Sequence, residues 1–300
     1  MTVWPEVVGF GAGAIAMKYR FQWTFPVEFS PHDQDAIYAC SNHIHRSTDE
    51  GTTWETISPD LTRNDPDKIQ SSGGRSPTTT ARRDLLHDLR LPQSPHEAGV
   101  FWTGSDCGVV NISRDGGKNW TNITPADLPE WSRITILEPS PFDKATCYLT
   151  PRALPVGRQP ALPLQDDRLQ RDLEGDQWQP PGPDEFTRVI RCDPVREGLL
   201  YVGTETGVYV SLDDGLTWEW LESNLPVVPI WDLVVKGTDL VAATHGRSFW
   251  ILDDVTPLRQ LAEARNGSAT RLFQPRDTTR FRLYGSAPSG RRARRWRTTR

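Results

Sequence analysis

The chain has 300 residues and a formal net charge of −5. Its 12 Trp, 23 Gly and 25 Pro, beside only 36% hydrophobic residues, favour many short strands joined by turns, so we expect an all-β fold. Six of the 34 basic residues lie in the last ten positions, which leaves 28 basic against 39 acidic residues in the rest of the chain. A nucleic-acid partner is not expected, because an acidic body offers no basic face for phosphates.

The cysteines and the apolar segments point to no metal, cofactor or membrane span. Cys40, Cys107, Cys147 and Cys192 are far apart and form no CxxC pair, so we expect buried free thiols. The apolar run 7–17 is short and broken by glycine, and no basic region of a signal peptide precedes it. We therefore predict no membrane insertion, no metal and no cofactor.

Three octets share the form Ser-x-Asp-x-Gly-x-(Thr/Asn)-Trp. The Asp side chain can accept hydrogen bonds from the backbone that follows it, the Gly allows positive φ and the Trp covers the turn, which is typical of a hairpin. We therefore predict structural turns with at least partly buried Trp side chains. The shared positions are Ser47, Asp49, Gly51 and Trp54, then Ser113, Asp115, Gly117 and Trp120, then Ser211, Asp213, Gly215 and Trp218.

The octets belong to a longer repeat. An apolar strand after a proline turn precedes each octet, and two further copies of that strand lack a full octet. An inner strand is predicted upstream of these, at 19–24, 131–136, 186–190 and 229–235. Each unit thus reads as one four-stranded blade, and we predict an incomplete β-propeller of about five blades.

The repeat is irregular at 76–93 and 152–179, and it resumes in phase after each segment. Paired frameshifts in the gene would produce this composition and would remove inner strands, and true insertions are the alternative. We expect a partial blade or disordered start at 1–18, propeller blades at 19–258, and at 259–300 a connector and basic tail that begins a missing C-terminal module.

Two runs carry a family resemblance. Residues 19–65, with Ser30-Pro31-His32-Asp33, and residues 244–254 resemble bacterial sortilin-like, BNR-repeat (Asp-box) propeller proteins of the "glycosyl hydrolase" type. Members of this group are usually longer, with tandem propellers and secretion signals. The resemblance implies that the chain is part of a larger secreted or periplasmic protein and forms a platform for a protein, peptide or glycan ligand. The alternative is a fragment of a tandem-propeller glycoside hydrolase, either xyloglucanase-like or sialidase-like.

Candidate ligand residues follow from the propeller fold, because ligands approach the mouth of the channel where inner strands and their loops converge. Polar and aromatic residues on the inner strands form the candidate surface, and the resemblance adds two more. Asp232 is also the weak catalytic candidate, since a glycosidase needs two carboxylates and the arginine cluster of a sialidase is incomplete. The full set is Gln22, Trp23, Arg133, Arg188 and Asp232, with His245 and Arg247 from the resemblance.

One histidine pair also invites a metal interpretation. His43 and His45 alternate along a strand and would face the same side. No third ligand is near in sequence, so we expect these histidines to face solvent.

Overall fold

The chain is described here from a computed structural model, which covers residues 3–4, 14–21, 25–67, 69, 89–126, 128–152, 162–165, 186–264 and 272–277. Within these ranges lie 18 strands, a 3₁₀ turn at Ala14–Ala16 and one α-helix, α1 (Thr256–Ala264). No helix of the described ranges is long and apolar enough to cross a membrane.

The strands form five antiparallel sheets in chain order, which we call blades 1 to 5. Blade 1 contains β1 (Val27–Phe29), β2 (Ile37–Cys40), β3 (Ile44–Ser47) and β4 (Glu55–Thr56). Blade 2 contains β5 (Leu89–Arg90), β6 (Phe101–Ser105), β7 (Val110–Ser113) and β8 (Thr121–Asn122). Blade 3 contains β9 (Arg133–Pro139), β10 (Thr146–Arg152) and β11 (Leu162–Gln165). Blade 4 contains β12 (Thr187–Cys192), β13 (Leu200–Thr204), β14 (Val208–Ser211) and β15 (Glu219–Trp220), and blade 5 contains β16 (Ile230–Lys236), β17 (Asp239–Thr244) and β18 (Phe249–Leu252).

Successive blades pack through their first two strands. The strands β5 and β6 contact β9, β9 and β10 contact β12, and β12 and β13 contact β16. Blades 1 and 2 share an apolar cluster that includes Tyr38, Leu89 and Phe101. Consecutive strands pair within every sheet, so each blade is a meander with its first strand innermost. The predicted all-β propeller is confirmed.

Glycine allows the blades to approach closely. A Cβ on Gly104 of blade 2 would lie 2.5 Å from Cγ2 of Ile134 in blade 3, and a Cβ on Gly203 of blade 4 would lie 2.7 Å from Cγ2 of Ile230 in blade 5. Both isoleucines are buried. The second strand of one blade therefore lies directly against the first strand of the next.

The three octets form turns between the third and fourth strands of blades 1, 2 and 4, as predicted. In the first, the Ser47 hydroxyl donates to Asp49 and accepts the Gly51 N–H at 2.9 Å. The Asp49 carboxylate accepts the Thr53 N–H at 2.8 Å, and the Trp54 indole donates to the Gly51 carbonyl at 3.1 Å. The same serine and aspartate bonds recur in the other two octets, and the three Trp side chains are partly buried.

Two strand predictions are wrong. The first strand of blade 1 is β1, whereas the described residues 19–21 of the run 19–24 form no strand; there the buried Arg20 side chain binds Asp60 at 2.7 Å. The irregular segment 76–93 does supply an inner strand, because Leu89 is fully buried and β5 pairs with β6. The other irregular segment supplies β11, which pairs with β10. The remaining parts of both segments lie outside the described residues.

The histidine pair does not face solvent as expected. The His45 side chain is 1% exposed and bridges the Ser41 and Thr56 hydroxyls, at 2.9 and 3.1 Å. His43 is partly buried and bonds the Ser58 carbonyl at 3.0 Å. The four cysteines are free and buried, as predicted.

The chain after blade 5 returns to the propeller. Helix α1 spans the position where the propeller was expected to end, and its Arg259 Nε lies 2.9 Å from a carboxylate oxygen of the fully buried Asp193 in blade 4. Residues 272–277 follow on the same side, where Gln274 N donates to Gln260 Oε1 at 2.8 Å. The residues 278–300 of the basic tail lie outside the described residues, as do most of residues 1–18.

A test of the octet turn removes the serine hydroxyl. Ser211→Ala leaves the part-buried Gly215 N–H without its acceptor at 2.8 Å, and loss of such a hydrogen bond costs about 0.5 to 1.5 kcal/mol. We expect that loss in the free energy of unfolding, measured by urea titration, and no change for the exposed Ser223→Ala. Equal stabilities of the two variants would contradict a structural role for the hydroxyl.

A second test uses pH. Burial lowers the pKa of His45 to about 4, with a smaller contribution from His43. Because the unfolded chain then takes up the proton first, stability is lost as the pH falls from about 6.5 to about 4, by up to about 3 kcal/mol. We expect His45→Gln to flatten this dependence in unfolding titrations.

Candidate functional site

The first strands of blades 3, 4 and 5 each have an irregular register near their start. The residue skipped by the pairing is Thr135 in β9, Arg188 in β12 and Trp231 in β16. A bulge of this kind re-aims a side chain at the edge of a sheet. The register thus makes Thr135 equivalent to Arg188, whereas Arg133 lies two residues earlier, at the first position of β9.

Four side chains meet at the mouth formed by blades 4 and 5, and we call them the mouth surface: Arg188, Glu205, Trp231 and His245. The Arg188 guanidinium carbon lies 4.7 Å from the centre of the Trp231 ring. The His245 ring stacks on the same indole, with centroids 5.4 Å apart and planes at 28°. Glu205 accepts from Arg188 Nη2 at 2.6 Å. The arrangement is an exposed indole in contact with a cation and an imidazole.

The repeat explains how these four residues come together. Arg188 and Trp231 occupy the same bulge position in adjacent blades, while Glu205 and His245 each follow the last residue of the second strand. Trp231 remains 53% exposed to solvent. An exposed aromatic ring beside fixed polar groups is typical of a site that orients a ligand by stacking and hydrogen bonds.

Deeper in the channel, one arginine joins three blades. Arg191 of blade 4 donates through Nη1 to Glu138 of blade 3 at 3.0 Å and through Nη2 to Asp232 of blade 5 at 2.8 Å. Its Nε donates to the Leu233 carbonyl at 2.8 Å. We call Glu138, Arg191 and Asp232 the channel charge cluster. It fixes the first strands of blades 3, 4 and 5 to one another.

Two carboxyl groups of the channel have raised pKa values. Desolvation by burial raises the pKa of Glu138, and the positive charge of Arg191 opposes that shift. Desolvation by the surrounding protein also raises the pKa of Glu28 in β1, although its side chain still meets solvent; Arg191 and Arg90 oppose the shift. The negative charge of Asp232 also raises the pKa of both Glu138 and Glu28. The inner strands of blades 1, 3, 4 and 5 therefore share one electrostatic environment.

The residues predicted from the sequence are not all in one place. Gln22 and Trp23 lie outside the described residues. Arg188 and His245 belong to the mouth surface, and Asp232 belongs to the channel charge cluster. Arg247 is exposed in the β17–β18 turn, where its carbonyl accepts the Trp250 indole N–H at 2.9 Å.

Sequence reasoning missed Glu28, Glu138 and Arg191. Each is a charged residue in a short apolar strand, two positions before the residue that opens the proline turn, namely Ser30, Ser140 and Asp193. The recurrence of a charged residue at this position of the repeat is the signal by which the sequence could have identified them. Among the described residues no group of three or more His, Cys, Asp or Glu side chains is arranged to hold a metal ion.

Comparison with solved structures identifies the class of protein as a β-propeller. The chain is similar to the GH74 xyloglucanase from Xanthomonas campestris, with 15% identity and a TM-score of 0.55 over 76% of this chain and 36% of that one. It is also similar to an ancestral GH74 enzyme, with 17% identity and a TM-score of 0.52 over 81% of this chain and 29% of that one. No family model and no curated protein sequence matches the chain.

The chain spans 36% and 29% of the length of the two GH74 proteins, and at these identities the likeness shows the fold alone.

The linking role of Arg191 in the channel charge cluster can be tested by its effect on stability. Arg191→Met leaves Glu138 enclosed without its cation, and because the pair is partly exposed we expect a loss of about 2 kcal/mol, below the cost of breaking a fully buried pair. Lys144→Met removes an exposed pair with Glu97 and should leave the free energy of unfolding close to that of the wild type. Urea titrations giving similar losses for both variants would contradict a linking role for Arg191.

Proposed function

We propose that the chain is a rigid propeller platform that binds an oligosaccharide at its mouth surface. The observation that carries the proposal is the half-exposed Trp231, which a bulge places at the mouth beside Arg188 and His245. The channel charge cluster beneath it keeps blades 4 and 5 in register. The site therefore needs little rearrangement to receive a ligand, which lowers the entropic cost of binding.

The chemistry of the mouth surface suits a sugar. A pyranose ring has faces of C–H groups that pack on an aromatic ring, and a rim of hydroxyl groups that both donate and accept hydrogen bonds. Trp231 supplies the aromatic surface, Glu205 is an acceptor and Arg188 is a donor. A protein or peptide ligand remains the alternative within the binding class, and a role within a larger secreted protein stays a prediction.

A hydrolytic function is the second candidate, and one observation favours it. Glu28 and Asp232 both reach solvent from inner strands of the channel, and desolvation raises the pKa of Glu28, which is the direction of shift that a general acid needs. Asp232 would be the partner carboxylate. Glu28→Gln tests this reading directly, because a hydrolase would lose turnover and retain binding.

The binding proposal is tested with a matched pair of tryptophan variants. Xyloglucan oligosaccharides, suggested by the substrate class of the Xanthomonas neighbour, and a panel of other neutral oligosaccharides are titrated into the chain by calorimetry. We expect Trp231→Ala to weaken binding by at least about tenfold, equivalent to about 1.4 kcal/mol. Trp220→Ala is the control, since Trp220 is 52% exposed but lies on the last strand of blade 4.

Two results would count against the proposal. One is the absence of binding to every oligosaccharide of the panel, and the other is equal affinity of the Trp231→Ala and Trp220→Ala variants. Release of reducing ends by the wild type, lost in Glu28→Gln, would support the hydrolytic candidate.

A further inference from the structure

Two blade interfaces contain the same niche, built from equivalent residues. One wall is the second-strand tyrosine of a blade, Tyr38 in blade 1 and Tyr148 in blade 3. The opposite wall is the fourth octet residue of the following blade, Gly116 in blade 2 and Asp214 in blade 4.

The backbone confirms that Gly116 and Asp214 are equivalent. The Gly116 N–H donates to the Gly99 carbonyl at 2.9 Å, and the Asp214 N–H donates to the Gly198 carbonyl at 2.9 Å. Both residues have positive φ, 76° for Gly116 and 61° for Asp214. The two niches therefore differ in their side chains and share their framework.

In the interface of blades 3 and 4, the protein fills the niche itself. The Tyr148 hydroxyl donates a hydrogen bond to the Asp214 carboxylate. The cavity that remains there has a volume of about 80 Å³. A carboxylate is thus the natural partner of the second-strand tyrosine at this position.

In the interface of blades 1 and 2, that carboxylate is missing because Gly116 has no side chain. The cavity measures about 500 Å³, and a Cβ added to Gly116 would meet nothing within 4 Å. Its walls include the apolar Ile57 and Phe101 and the cationic Lys118. The space is sufficient for a small ligand.

A cation is added where the carboxylate is missing. Arg46 lies opposite Tyr38 in the pairing of β2 and β3, whereas the equivalent partner of Tyr148 is Pro163. Arginine has no acceptor atom, so the Tyr38 hydroxyl keeps its proton for another acceptor.

The cavity also holds two acids, Asp33 and Glu55. Asp33 lies 3.4 Å from Arg46, and both side chains are well exposed, so this contact is weak and leaves guanidinium donors for a ligand. Arg46 and Lys118 offset the two acids.

We propose that this cavity binds an aspartyl side chain of a peptide ligand, with its carboxylate placed as the Asp214 carboxylate is placed in the interface of blades 3 and 4. Tyr38 donates to the carboxylate and Arg46 supplies the charge. The site is separate from the mouth surface and does not depend on the proposed function.

The interface of blades 3 and 4 shows which substitution should block the cavity between blades 1 and 2. Gly116→Asp should recreate the tyrosine–carboxylate bond of the other interface and occupy the cavity, at a positive φ (76°) near the 61° of Asp214. We expect the unfolding midpoint to stay at or above that of the wild type. Arg46→Gln removes the charge and leaves the cavity open.

Saturation-transfer NMR measures binding of N-acetyl-aspartate amide, with N-acetyl-asparagine amide as the neutral control and glucuronate as a sugar carboxylate. We expect saturable binding of the aspartyl probe, weakened by at least about tenfold in Gly116→Asp and in Arg46→Gln and for the asparagine probe. Absence of binding, equal binding of the two amides, or binding unchanged by Gly116→Asp would overturn the proposal. Tighter binding of glucuronate would overturn the assignment to a peptide.

Discussion

The close contact between neighbouring blades is the constraint on which the rest of the structure depends. Gly104 and Gly203 lie so near Ile134 and Ile230 that no larger residue fits without displacing them. Protein interiors are packed to a density that leaves no room for such a change. Because the blades meet at this distance, residues on successive inner strands can share one channel, and residues at their starts can share one mouth.

The charges within the channel act on orientation more than on stability. An ion pair taken partly out of water gains little net free energy, since desolvation offsets the attraction. Arg191, however, satisfies Glu138 in one neighbouring blade and both Asp232 and the Leu233 carbonyl in the other. A relative shift of these blades would break several bonds at once. The geometry of the mouth surface, only a few residues along the same strands, is fixed by this cluster.

The sequence predicted what depends on local chemistry. The octets were identified correctly because their bonds join residues two to four positions apart, as between Ser47, Asp49 and Gly51. Contacts between residues far apart in the chain were not predicted. Arg191, for example, binds Glu138 and Asp232, which lie 53 and 41 positions away. The bulges were not predicted either, because a bulge is defined by the pairing of a strand with its neighbour. The His45 ring packs against Tyr19 and Phe21, which lie more than 20 positions earlier in the chain, and a strand pattern alone does not bring these residues together.

Differences between equivalent positions, more than the positions themselves, distinguish the blades of this propeller. At the bulge the residues are Thr135, Arg188 and Trp231, and at the fourth octet position they are Glu50, Gly116 and Asp214. These six residues are exposed or only partly buried, so their side chains can differ between blades without repacking the core. A repeat can therefore acquire a binding surface in one interface while a neighbouring interface keeps the same framework closed.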